Sequence, residues 1–481
     1  MLQSHFHGSR CFYLTLTFLL SLLIGSSAQG NVTFRKTFGD TRYDSGSAVQ
    51  QTTDGGYILF GLTTNDSSYN YDLYLIKTDY QGEKEWERKY GDQSFQFGNS
   101  VQQVTDGGYI LCGADDGIGQ DSMTLIRTDA SGHLLWQKKY RMSAHRSNGR
   151  FVRQTTDGGF VATGYSGDSF VEDVYIIKTD ANGTLEWSKT YGGPGRDYGV
   201  CIQQTPDNGY IVLGETNSHG YGGVDMYVLR MNSVGDTLWT RTYGTQDHES
   251  GFSLDLTDDG GFIGLGTNSN RVSDLYMVKA DHFGNELWSK EYGGESQDAG
   301  YDVQQTTDGG YFLAGRKHQG SNLPADMYAV KTDHMGEVLW ENVYPEGRIS
   351  EAYSAQQTSD GGYIMLGTAT YEVGQGFSSD MYLVKIDADG NTSGTIDPEN
   401  KVAFSICPNP VFQTARIKFE EPIEGTYTLF LYDTNGRAVR EETGLLFQEI
   451  VFDRRDLTAG IYFFRLLSGD KELGKGKIIV L

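Results

Sequence analysis

The chain has 481 residues, of which 63 are glycine, 31 tyrosine and only 8 proline, and its net charge is −24. It lacks the long Ala/Glu/Lys/Leu windows of helical proteins, so a mostly β chain is expected. The acid excess sits in residues 29–401; it excludes nucleic acid and anionic lipid as partners and favours cations, basic peptides or neutral glycans.

Residues 1–28 carry one formal charge, Arg10, then the apolar run CFYLTLTFLLSLLIG and the small residues SSA before Gln29. This is the pattern of a secretory signal peptide, and the run is shorter than the roughly 20 residues a membrane span needs. No later stretch is long and apolar enough to cross a bilayer. Cys112, Cys201 and Cys407 lie far apart with no CxxC partner, so they are read as small buried apolar residues rather than disulfide or zinc ligands.

From residue 51 onward one phrase recurs: QTTDGGYILFG, QVTDGGYILCG, QTTDGGFVATG, QTPDNGYIVLG, LTDDGGFIGLG, QTTDGGYFLAG and QTSDGGYIMLG. Its aspartates, Asp54, Asp106, Asp157, Asp207, Asp259, Asp308 and Asp360, repeat at about 50 residues, the period of a four-stranded β-propeller blade. Each unit reads as strands A to D, with Asp-Gly-Gly expected to make a two-residue primed hairpin between A and B. All six tryptophans, Trp86, Trp136, Trp187, Trp239, Trp288 and Trp340, share one position on strand D, which suits blade-to-blade packing. The seventh unit lacks that strand. NVTFRKTFGD near the start resembles it, with Phe34 at the tryptophan position, so the N-terminal strand is expected to close a seven-bladed ring spanning 29–390. Lys77, Arg127, Lys178, Arg230, Lys279, Lys331 and Lys385 form a basic column expected to pair with neighbouring carboxylates.

The connection from B to C alone varies in length, so the face bearing it and the D-to-A crossovers is where loop-borne binding is expected. On the crossovers Asp44, Asp197, Glu249 and Asp298 occupy one repeat position and are expected to ring the mouth of a central channel, where they could hold calcium or a polar ligand. His219 and His318 lie on the same face, with His145 and His248. No HExxH, GxSxG or phosphate-binding glycine loop occurs, and no motif asks for an organic cofactor. Phrases such as DANGTLEW also resemble quinoprotein repeats, a family that usually has eight blades. The expected role is noncatalytic binding of glycan, peptide or matrix. Its rivals are a propeller hydrolase or lyase acting on polysaccharide and a structural surface-layer component.

After a polar linker, 391–401, the composition shifts to alternating apolar strands: VAFSICPNPV, YTLFLYDTNGRAV, LTAGIYFFRL and KGKIIVL. A small β-sandwich over 402–481 is expected. Four pieces in order carry a resemblance to the type IX secretion C-terminal sorting domain: Pro408, Asn409 and Pro410; Gly436 and Arg437; Gly460 and Tyr462; and Lys475 and Lys477 near the end. The resemblance implies passage through the outer membrane by the type IX machinery and removal of this module, leaving the remainder released or at the cell surface.

Overall fold

The structure is a computed structural model. It describes residues 32–39, 43–64, 71–91, 95–116, 121–142, 146–168, 171–269, 273–318, 320, 324–374, 376–392, 404–407, 411–419, 427–433, 437–445, 449–455, 457–468 and 471–480. The signal-peptide segment, His145, Pro408, Asn409, Pro410 and Gly436 lie outside them. The described secondary structure is all β, and no helix among these residues could span a membrane.

Seven four-stranded antiparallel sheets follow the repeat. Their first strands, A, are Asp44–Gln51, Phe95–Gln103, Arg146–Gln154, Asp197–Gln204, Glu249–Leu256, Ala299–Gln305 and Ile349–Gln357. The seventh sheet takes its fourth strand from the N-terminal segment Phe34–Phe38, which pairs with Gly376–Ile386 so that Phe34 faces Lys385 as Trp86 faces Lys77. The longest B-to-C connection is not a loop: Tyr363–Val373 and Gly376–Ile386 stay paired through Val373 and Gly376, because its alternating residues can continue the ladder.

The hairpin between A and B differs from the expected two-residue primed turn. In the first sheet Gly55 N–H donates to Thr52 O at 2.8 Å and Thr52 N–H to Gly56 O at 2.9 Å; Gly55 alone takes positive φ, +87°. This is a turn followed by a left-handed glycine, the three-residue hairpin form. Asn208, the one non-glycine at that position, also sits at φ +63°. The aspartate keeps ordinary φ and acts through its side chain: Asp54 Oδ1 accepts from Thr52 Oγ1 (2.6 Å) and Gly56 N (3.0 Å).

That same carboxylate meets the basic column. Lys77, Lys178, Lys279, Lys331 and Lys385 are buried and lie 2.8–3.0 Å from Asp54, Asp157, Asp259, Asp308 and Asp360. Arg127 and Arg230 pair likewise with Asp106 and Asp207. Burial disfavours the charged aspartates, but hydrogen bonds from the lysine, threonine and glycine outweigh it, and Asp157 and Asp259 are held at about 2. The repeated TxDGG phrase is therefore a turn and an ion-pair anchor in one.

Each tryptophan locks its sheet to the next. Trp86, Trp187 and Trp288 stand edge-on to Tyr109, Tyr210 and Tyr311 at 5.9–6.0 Å, and Phe34 meets Tyr57 at 6.0 Å, so the seventh sheet packs on the first by the same contact. A tyrosine on strand D adds a hydrogen bond: Tyr243 Oη donates to Gly284 O at 2.7 Å and Tyr292 Oη to Gly336 O at 2.8 Å in the following sheet.

The C-terminal module is built separately from a three-stranded sheet (Phe404–Cys407, Thr414–Phe419, Glu449–Asp453) and a four-stranded one (Tyr427–Tyr432, Ala438–Leu445, Gly460–Ser468, Lys471–Val480). Ala415 and Phe452 of the first share one apolar core with Leu429, Leu431, Phe464 and Val480 of the second. Gly460 opens a strand, Tyr462 Oη donates to Thr458 O (2.9 Å), Arg437 N–H bonds Asp433 Oδ1 (3.0 Å), and Lys475 and Lys477 pair with Arg465 and Phe463.

Candidate functional site

The seven A strands together enclose a central cavity of about 420 Å³, lined from all seven sheets. Side-chain amides link them at one end. Gln50 Oε1 accepts from Gln103 N (2.6 Å), Gln102 from Gln154 N (2.7 Å), Gln304 from Gln357 N (2.7 Å), and Gln356 from Gln51 N (2.7 Å), which carries the belt from the last sheet back to the first. A second row runs beside it, with Gln51, Gln103, Gln154, Gln204, Gln305 and Gln357 accepting from the backbone N–H of Ser359, Thr53, Thr105, Thr156, Asp258 and Thr307. That row breaks once, between the fourth and fifth sheets. There Pro206 has no N–H to give and Leu256 has no amide to receive it, so loss of donor and acceptor coincide and no polar group is left stranded.

Every A strand carries a register shift at the same place, between Gly46 and Ala48 in the first sheet and at the matching positions of the other six. A bulge leaves one residue out of the ladder and re-aims its side chain. The bulged residues are Ser47, Asn99, Arg150, Val200, Phe252, Tyr301 and Tyr353, and all seven line the cavity. The scaffold is repeated; this column is not. Phe252, Tyr301 and Tyr353 form a continuous arc, with ring centroids 5.4 and 5.2 Å apart, while Ser47, Asn99 and the exposed Arg150 face it from the first three sheets.

Two neighbouring positions put charge into the same wall. Arg153 replaces a belt glutamine. Its guanidinium lies 4.0 Å over Phe151, donates to Val152 O (3.0 Å) and has no carboxylate in ion-pair range among the described residues. Asp255 replaces another belt glutamine and accepts from Gln305 N at 2.9 Å. Asp302 stands where other sheets have Ser100, Ser253 or Ser354; it accepts from Ser253 Oγ (2.6 Å) and Ala355 N (2.7 Å), and burial pushes its carboxyl up to about 6.

The four acids expected at the channel mouth are placed otherwise. Asp44, Asp197, Glu249 and Asp298 are buried beneath the crossovers, and none lines the cavity. Asp197 ties its crossover to the B-to-C loop, accepting from Gly193 N (2.9 Å), Ser218 Oγ (2.7 Å) and Thr216 Oγ1. Glu249 accepts from Thr245 N (3.0 Å) and Asp298 from His318 N (2.8 Å). His219 stacks 6.4 Å from Tyr227 of the strand that follows its loop, and His248 Nδ1 on the crossover accepts from Val224 N of the B-to-C connection. Among the described residues no group of three or more His, Cys, Asp or Glu converges for a metal. Cys112 and Cys201 are free, and burial raises both thiols, so neither is a poised nucleophile.

The bulge column was the residue set that loop lengths could not reveal. Its signal is present in the repeats, since the phrases SAVQQ, NSVQQ, RFVRQ, VCIQQ, FSLDL, YDVQQ and YSAQQ agree everywhere better than at their first letter.

With these features in place the chain is defined as an exported protein of repeated four-stranded sheets. The secretion system C-terminal sorting domain family matches residues 405–481, which marks the chain for type IX export to the cell surface or the extracellular space. No curated protein matches the chain in sequence. Among solved structures it is similar to a fungal alcohol oxidase of the AA5 family in complex with copper (12% identity, 94% of this chain and 100% of that one, TM-score 0.45). It is also similar to the Neurospora crassa Pan2 WD40 domain (10%, 73% and 90%, 0.45) and to puromycin hydrolase (11%, 79% and 59%, 0.47). Likeness at this level carries nothing about ligand or chemistry.

Proposed function

We propose that this is a type IX-exported, seven-bladed β-propeller, closed by its N-terminal strand, that binds glycan in the central channel without catalysis. In this reading 1–28 is the export signal, 29–390 the propeller, 391–401 the linker and 402–481 the sorting module. The Phe34–Tyr57 ring contact and the Gln51–Gln356 hydrogen bond, which return from the seventh sheet to the first, support the closure.

The observation that carries the binding role is the bulge column. Three adjacent aromatic faces opposite an arginine and an asparagine suit a sugar, whose C–H faces stack on rings while its hydroxyls take hydrogen bonds. About 420 Å³ falls within the range of small-ligand pockets. A neutral glycan also suits a strongly acidic exterior.

The test is a glycan array on the full chain, followed by calorimetry and product analysis on each hit. Saturable binding without new products, weakened at least tenfold by Tyr301→Ala and by Arg150→Ala, is expected. Binding unaffected by both substitutions, or turnover of the glycan, would overturn the reading.

A further inference from the structure

The buried acids at the crossovers do not act singly. The ideal Cβ positions of Gly39, Gly192, Gly244 and Gly293 each lie within 3.0 Å of an oxygen from two carboxylates: Asp380 and Asp44, Asp173 and Asp197, Asp225 and Glu249, and Asp274 and Asp298. In every pair one acid lies on strand C of a sheet, at or next to its first residue except for Asp380 within the longer strand Gly376–Ile386, and the other lies at the crossover into the next. Glycine is required there because any side chain would occupy the space into which both acids point.

The pair Asp274 and Asp298 stands apart because its unpartnered oxygen belongs to a carboxylate that is itself almost fully buried; Asp173 Oδ1 at the Gly192 face also lacks a hydrogen-bond partner, but on a half-buried residue. Asp298 is 1% exposed; its Oδ1 accepts from His318 N at 2.8 Å, and its Oδ2, aimed at the Gly293 face beside Asp274 Oδ1, has no hydrogen-bond partner. Asp274 Oδ1 receives only Gly294 N–H, at 3.2 Å. Lys317, the lysine whose charge reaches both, is taken by Tyr328 Oη (3.5 Å) and Glu341 (3.3 Å) and forms no ion pair with either acid. A buried carboxylate oxygen without proton, donor or counter-charge is costly. One such oxygen, set beside a second carboxylate oxygen that receives only a single long N–H bond, matches a hard cation, whose bonds to oxygen run on the order of 2.3–2.6 Å for calcium.

We infer that Asp274 and Asp298 hold a calcium ion between the fifth and sixth sheets, beneath the crossover at Gly293. The ion joins strand C of one sheet to the crossover of the next, and its ligands are oxygen only. Extracellular calcium modules work at dissociation constants of roughly 10⁻⁴–10⁻³ M, within reach of a surface protein. The inference is independent of the channel and of any glycan.

The experiment is a calorimetric titration of the EDTA-stripped full chain with calcium chloride at neutral pH, paired with thermal unfolding in EDTA and in calcium. Wild type should bind calcium saturably and unfold at higher temperature with it. Asp298→Asn should lose one site and its share of the thermal shift. In EDTA that variant should be at least as stable as wild type, because removing one of two facing charges relieves repulsion; a merely structural aspartate would show the opposite. Should Asp298→Asn fail to fold, Asp274→Asn carries the same test. No calcium uptake by wild type, an unchanged number of sites in the variant, or wild type gaining stability from acid instead of calcium would each overturn the inference, the last by showing that the pair shares a proton.

Discussion

Replacing Asp302 by serine should stabilise the protein at neutral pH, although it removes two hydrogen-bond acceptors and inserts a smaller side chain. The reasoning uses the repeat as its own control. Ala355 N–H, which Asp302 Oδ2 receives, corresponds to Val49 N–H and Val152 N–H, and these are received by Ser354 Oγ (3.2 Å) and Ser100 Oγ (3.4 Å). Serine therefore does this work elsewhere without a charge. The carboxyl sits at about 6 against an unfolded value near 3.9, about two units, and each unit is worth about 1.4 kcal/mol. The sign follows from the direction. A raised carboxyl favours the neutral form in the folded state, so no penalty applies below about pH 4; the penalty grows from about pH 4 to 6 and is constant above. Asp302→Ser should thus gain up to about 3 kcal/mol at pH 7.5 and nothing at pH 4. At about 2.1 cal/mol/K per residue over roughly 350 residues, that is a Tm rise of about 4 °C. Thermal unfolding of both proteins between pH 4 and 8 measures it. A variant less stable than wild type at pH 7.5, or a difference that does not change with pH, would refute the reasoning.

Tyr243→Phe leaves the Gly284 carbonyl without its donor and should cost about 1–2 kcal/mol, read by chemical denaturation, with the same direction for Tyr292→Phe at Gly336. Asp157→Ala leaves buried Lys178 with only the half-exposed Glu186 at 3.1 Å and the Thr179 carbonyl; it should cost about 1–3 kcal/mol, whereas Lys178→Met leaves a solvated aspartate and should stay within about 1 kcal/mol. Because Asp157 and Asp259 are held at about 2, below their unfolded value, what their ion pairs contribute is present above about pH 4 and is lost as pH falls toward 2, a loss that acid titration of Asp157→Ala should show reduced. Removing residues 402–481 should abolish delivery to the cell surface and leave the protein in the periplasm, measured by fractionation.

The repeat makes the sheets legible in the sequence alone. A fixed spacing of Trp, Lys and Asp can only mean identical contacts made again, and Trp86 on Tyr109, Lys77 on Asp54 and Phe34 on Tyr57 are those contacts. The turn departs from the expected form because Asp-Gly suggests positive φ at both positions, while Asp54 serves through its side-chain bonds to Thr52 and Gly56. The acids were placed on the right crossovers but at the wrong depth. Sequence position gives the end of a strand, whereas the carboxylate that shares the Gly293 face with Asp298, that of Asp274, is 24 residues away and belongs to another sheet. The channel set was obscured for a similar reason. A bulge shifts which residue faces inward, and strict alternation would have turned Tyr301 and Tyr353 elsewhere.

The borrowed N-terminal strand has a bearing on maturation. The last strand of the seventh sheet along the chain ends at Ile386 and the next begins at Phe404, and the strand that a simple repeat would have put between them stands instead at Phe34–Phe38. A peptidase cutting between 393 and 403, past the turn whose Gly390 carbonyl receives Tyr344 Oη (2.7 Å), would therefore remove the address label and leave the strand pairings of the sheets in place. Trimming at the other end is a different matter: a cut past Phe34 would strip the outer edge of the seventh sheet and the ring that seats on Tyr57.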